Sequence, residues 1–110
     1  MTLKQPELAR GGTLALSEEM TLDATTADVA WPLPSRLNGI TVQVDFEGGA
    51  SYEVLCSANK DDTVRAGTAK WFSLFGGVQT AAKQVTIPAK FSWIRIVRTT
   101  GTLNVALYGS

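Results

Sequence analysis

The 110-residue chain contains no histidine and one cysteine. Without histidine it lacks the commonest general base near neutral pH and the usual nitrogen ligand of zinc, and one thiol cannot build a multi-thiolate site or an internal disulfide. The familiar nucleophilic triads and structural zinc are thereby excluded. No apolar run approaches the 18 or more residues that a membrane-spanning helix needs, and MTLKQPELARGG lacks the apolar core of a secretory signal. The expected setting is a reducing cytosol, with Cys56 in SYEVLCS serving as a small buried hydrophobe. The phosphate-loop and dinucleotide fingerprints are missing as well, and the Gly pairs starting at 11, 48 and 76 read as turn material.

Net charge is also missing. Ten Lys and Arg balance ten Asp and Glu, so the whole molecule has no electrostatic reason to seek nucleic acid or an anionic membrane. The balance is uneven along the chain: residues 1–62 hold all ten acids and four bases, while residues 63–110 hold six bases and no acid. Two arrangements follow. The halves can interleave in one fold so that acidic and basic strands become neighbours, or complementary patches can steer copies of a self-assembling subunit together. Compactness favours interleaving, because two halves of a small domain cannot stay far apart.

What is present is alternation. In ITVQVDF (40–46), Ile40, Val42, Val44 and Phe46 share one face and Thr41, Gln43 and Asp45 the other. EGGA follows, then SYEVLCS with Tyr52, Val54 and Cys56 on one side, so residues 40–57 are predicted to be a hairpin. Residues 57–68 are expected to be a polar surface connection. KWFSLFGGV sets Trp71, Ser73 and Phe75 against Phe72 and Leu74, a strand with large groups on both faces. KQVTIP is a short strand near an edge, stopped at Pro88 by the missing backbone donor. In WIRIVRTTGTLNVALYG, Ile94, Ile96, Leu103, Val105 and Leu107 are predicted to face the core together across a turn at Thr99, Thr100 and Gly101, with Arg95 outside beside aromatic stems. Toward the amino terminus, TLALS, MTLD and DVAWPLP are candidate strands, and LSEEM could begin a helical turn. Residues 1–12, with Pro6, Gly11 and Gly12, read as an extended arm, and residues 13–110 as one domain. Seven or eight short strands without a long amphipathic helix give an all-β antiparallel β-sandwich of Greek-key or jelly-roll type, with a small barrel as the other architecture.

Chemistry is sparse. Asp61 and Asp62 in a polar loop, and Glu18 and Glu19 near a turn, read as solvated surface; neither pair gathers the oxygens that calcium requires. Asp45 and Glu53 could face each other across the 40–57 hairpin like a glycosidase acid pair, though nothing fixes their separation. No catalytic, metal or cofactor residue is assigned. For binding, Lys70, Lys83, Lys90, Arg95 and Arg98 with Trp71 and Trp93 would make a basic aromatic platform for single-stranded nucleic acid. Trp31, Trp71, Trp93, Tyr52 and Tyr108 would offer flat faces to a carbohydrate. Tryptophans in a small sandwich more often anchor a core or an interface.

VTIPAKFSWIRIVRTTGTLNVALYGS, taken with GITVQVDF, GGASYEVLCSANKDD and KWFSLFGGVQT, resembles small all-β virion proteins of tailed bacteriophages. The resemblance covers residues 39–110 and includes a basic residue, Arg95, following Trp93 and Ile94 near the terminal hairpin. It implies a noncatalytic virion component assembled in the host cytoplasm: a capsid decoration or cement protein, or else a head–tail joining, tail or fibre component. Implied partners are further copies of the chain and the major capsid protein or other virion proteins. Trp71, Phe72, Phe75 and Trp93 are the candidate contact anchors, and Arg36, Arg95 and Arg98 the candidate charged contacts.

Overall fold

A computed structural model describes residues 1–4, 16–34, 37–88 and 90–109. Nine strands and one short helix occur among them: β1 (Thr2–Leu3), β2 (Leu16–Leu22), β3 (Asp28–Pro32), β4 (Gly39–Asp45), β5 (Ser51–Ser57), α1 (Asp61–Arg65), β6 (Phe72–Ser73), β7 (Lys83–Pro88), β8 (Trp93–Thr100) and β9 (Leu103–Gly109). They form a mixed sheet in the order β1-β3-β8-β5-β6 and an antiparallel sheet in the order β2-β9-β4-β7. Only the β1–β3 pairing is parallel.

The alternating sequence explains the core. Ile40, Val42 and Val44 of β4, Leu103, Val105 and Leu107 of β9, and Leu16 and Leu22 of β2 project from one sheet. Val29 and Trp31 of β3, Tyr52 and Val54 of β5, and Ile94 and Ile96 of β8 project from the other, and all belong to one buried cluster. Removing each of these aliphatic side chains from water contributes roughly 1.5–3 kcal/mol, which fixes register because a one-residue slip would turn a whole row outward.

Both predicted hairpins are corrected. β4 and β5 lie in different sheets, and so do β8 and β9. The turns at 46–50 and 101–102 therefore carry the chain from one sheet to the other across the core, and the two crossings lie together. Ser51 Oγ and Thr100 Oγ1 are 2.8 Å apart, and a methyl group at Gly101 would sit 2.5 Å from the Gly49 carbonyl oxygen. Gly101 also has φ +78°, so the position demands glycine twice over. The expected core faces of these strands are nevertheless buried as read, because the same alternate residues point inward whether two strands pair or oppose each other.

Four antiparallel pairings are nested about the 58–71 connection: β5–β6, β4–β7, β3–β8 and β2–β9. Two further pairings, β4–β9 and β5–β8, join these pairs side by side within each sheet. Each of the six unites a strand from the first half of the chain with one from the second. The charge halves thus interleave strand by strand.

The amino-terminal third differs in detail. LSEEM is extended, not helical: Ser17, Glu19 and Thr21 are exposed while Leu16 and Leu22 are buried, and Glu18 is half-buried on the inward side of an outer strand. Within the expected arm, Thr2 and Leu3 pair with Val29 and Ala30. Residues 5–12, like residues 13–15 of TLALS, lie outside the described residues. β7 is an outer strand as expected, with Gln84, Thr86 and Pro88 exposed.

Candidate interaction surfaces

The outward face of the five-stranded sheet is only partly outward. Residues 58–71, which include most of the 57–68 stretch expected to be a surface connection, fold back over it and include α1. Asp61 and Asp62 occupy the first turn and Arg65 the last, a charge order that suits the helix dipole, and Arg65 Nε donates to Asp61 Oδ2 at 2.7 Å. The connection is pinned at Asn59, whose Oδ1 accepts the Lys70 N–H at 2.7 Å and whose carbonyl accepts the Ser92 hydroxyl at 2.6 Å. Its one aliphatic residue on the helix, Val64, is buried with Ala30 and Trp93, and Leu3, Ala69 and Trp71 pack around them. A lone Val in a polar stretch, preceded by two acids and followed at once by Arg65, is the signal that would have revealed this helix.

Trp93 is consequently not a contact anchor. Alternation directs it outward as read, but Val64 and Ala30 enclose it to 1% exposure and the Arg65 guanidinium lies 5.6 Å from its ring. Phe75 is half-buried: it packs against the main core, with Lys83 Nζ 5.7 Å from its ring. Arg98 is used within the fold. Its Nε donates to the Gly101 carbonyl at 2.6 Å and its backbone N–H to Ala27 at 2.7 Å, so it braces the second sheet crossing. Arg36 lies outside the described residues.

Three predicted residues come together at β6. Arg95, flanked across the sheet by Ala30 and Leu55, gives a bidentate pair to Asp28: Nε to Oδ1 at 2.8 Å and Nη2 to Oδ2 at 2.6 Å. Donating these bonds to the Asp28 carboxylate strengthens the hold of Arg95 on its proton, against the opposing effect of burial. The Trp71 ring lies 5.3 Å from the Arg95 guanidinium, which places Arg95 beside an aromatic as expected, and its charge is held chiefly by Asp28, with Glu53 adding a weaker attraction. Phe72, the next residue, is 67% exposed, and Val78 is also exposed nearby in sequence. A large aromatic left in water on an outer strand is the least explained feature of this surface by folding alone.

The remaining constellations disperse. Asp45 and Glu53 project outward from different sheets, so the carboxylate pair does not exist. Glu18 and Glu19 point to opposite sides of β2, and among the described residues no three His, Cys, Asp or Glu side chains gather. The nucleic-acid platform loses Trp93 to burial and Arg95 to Asp28. The carbohydrate platform loses Trp31, Trp93 and Tyr52, all at 1% exposure or less. Cys56 is a free thiol, half-buried where full burial was expected, and desolvation pushes its pKa up, away from the reactive thiolate.

The four-stranded sheet has an open outward face of Ser17, Glu19, Thr21, Thr41, Gln43 and Asn104, with Tyr108 61% exposed. A depression of about 430 Å³ on it is lined by Glu19, Met20, Thr21, Gln43, Asn104, Val105 and Ala106. Among the described residues no helix is long and apolar enough to cross a membrane. No protein-family model and no curated protein matches the sequence.

Proposed function

We propose that the chain is a noncatalytic structural subunit of a tailed-bacteriophage virion, a jelly-roll β-sandwich that decorates or cements the capsid shell. The observation that carries the reading is the strand order. A long antiparallel ribbon whose pairs are β2–β9, β3–β8, β4–β7 and β5–β6, rolled so that β2-β9-β4-β7 faces β3-β8-β5-β6, supports jelly-roll winding, an architecture characteristic of viral capsid and lectin domains. Fold alone does not fix function, and the sequence resemblance supplies the virion half of the proposal.

In this reading Phe72 and Trp71 insert into a groove of the shell, and the Arg95–Asp28 pair holds Trp71 in place without spending conformational entropy at docking. Immunogold labelling of virions, using antibody raised against the chain, tests it. Label distributed over whole heads is expected. Label confined to one vertex or to the tail overturns decoration in favour of a joining or tail component, and virions without label overturn the virion reading.

A further inference from the structure

The interleaving of the charge halves has a consequence at the edges of the four-stranded sheet. From one side to the other its strands come alternately from the acidic and the basic half: β2, β9, β4, β7. A row of four that alternates must end on unlike strands. Residues 16–23 hold Glu18, Glu19 and Asp23 and no base, whereas residues 78–90 hold Lys83 and Lys90 and no acid. Among the described residues no strand pairs with the outer side of either β2 or β7.

Strand direction supplies an independent observation. β2 runs antiparallel to β9, β9 to β4 and β4 to β7, so β2 and β7 themselves run in opposite directions. A second copy set beside the first in the same orientation brings its β2 antiparallel to β7 without being turned over. The rows across the sheet also continue. Leu16, Gly109, Ile40 and Ile87 lie in one inward row, and Glu19, Ala106, Gln43 and Gln84 in one outward row. Extending them sets Leu16 of the next copy beside Ile87, its Glu19 beside Gln84 on the outward face, and its Met20 in the inward row of Lys83.

We infer that copies of this chain associate head to tail, the acidic β2 edge of one adding to the basic β7 edge of the next and continuing the four-stranded sheet from subunit to subunit. The interface is heterologous, so it builds a ring where the rotation closes and an open row where it does not. Lys83 at one end of β7 and Pro88 at the other are devices that discourage a strand edge from indiscriminate pairing. They serve specificity here: two β7 edges carry like charge and repel, whereas the β2 and β7 segments carry opposite net charge. The inference deepens the reading of the chain as an assembling subunit and rests on it for the identity of the partner, a second copy.

The test uses the full chain with Cys56→Ser, adding Glu19→Cys in one preparation and Gln84→Cys in another; both positions are exposed, so the fold tolerates them. A short bis-maleimide is applied to each variant alone and to their mixture. The expected result is a cross-linked dimer in the mixture only, lost at high salt, with the double variant giving a ladder. Cross-linking of either variant with itself overturns the head-to-tail geometry, and so does a mixture that stays uncross-linked while light scattering reports oligomers. A chain monomeric at every concentration overturns the inference too. If that monomer still labels phage heads, edge pairing fails alone; if cross-linking succeeds and labelling does not, the virion reading fails alone.

Discussion

Replacing Gly101 by alanine, with Gly48→Ala as its partner, isolates the contact between the two sheet crossings. Both glycines have φ +78°, so both substitutions carry the same left-handed backbone cost, about 1–2 kcal/mol. The surroundings differ. A Cβ at position 48 meets nothing within 4 Å, whereas at position 101 it meets the Gly49 carbonyl oxygen at 2.5 Å and the Ala50 Cβ and Cα at 2.7 and 2.8 Å. Two of those three atoms are backbone, so the clash is relieved only by moving one crossing away from the other, at the roughly 1–3 kcal/mol typical of overpacking. Gly101→Ala is therefore expected to lose about 2–5 kcal/mol and Gly48→Ala about 1–2 kcal/mol. Any gain from a stiffer unfolded chain is common to both and cancels in the difference. At about 4–8 °C per kcal/mol for a domain of this size, thermal unfolding followed by circular dichroism should separate the variants by about 4 °C or more. Melting temperatures within about 2 °C of each other would mean that the crossings do not touch.

Trp93→Ala should cost about 3–5 kcal/mol in urea unfolding because it empties the space beneath α1, while the exposed Phe72→Ser should shift stability by less than about 0.5 kcal/mol and abolish binding to the virion; a Phe72 variant that binds normally removes that residue from the contact. Tyr52, buried with its hydroxyl donating to the Ala81 carbonyl at 2.7 Å, has its pKa raised by desolvation above the ordinary tyrosine value of 10.0. The unfolded chain therefore ionises first, so this contribution is complete below pH 10.0 and is lost as pH rises toward the folded value. In Tyr108→Phe, which leaves Tyr52 as the remaining one of two tyrosines, phenolate absorbance should appear only above the ordinary range, and Tyr52→Phe should cost about 1 kcal/mol.

How far the sequence could be read follows from what alternation encodes. A period of two tells which side chains face away from water, and Ile40, Val42, Val44, Ile94, Ile96, Leu103, Val105 and Leu107 are all buried as that period required. It carries no information on which strand lies beside which. Two runs that pair as a hairpin over a core and two that oppose each other across it bury the same residues, so 40–57 and 93–109 resembled hairpins. Charge offered the missing clue, since interleaved halves require partners distant in sequence. For the interaction surface, the pairing of an aromatic with Arg95 was legible, but the fate of Trp93 was not: an outward direction on a strand says nothing about a cover that arrives from about thirty residues away, with Val64 and Arg65 on α1. Phe72 stands out only once its surroundings are known, because an aromatic that stays in water looks the same in sequence as one that does not.

The nested pairings also govern how the chain must be made. β2 can bond to β9, and β3 to β8, only after the segments near the far end of the chain exist, and none of the six pairings among β2–β9 can form within the first half alone. While a ribosome is still synthesising residues 63–109, β2, β3, β4 and β5 have alternating apolar faces and lack their antiparallel partners. Folding is therefore a late, closing event that waits for translation to deliver Leu103–Gly109, and it is slow in the way that non-local β pairing is slow. A fold of this design is completed as a whole, because its strands lack antiparallel partners until the second half of the chain is made.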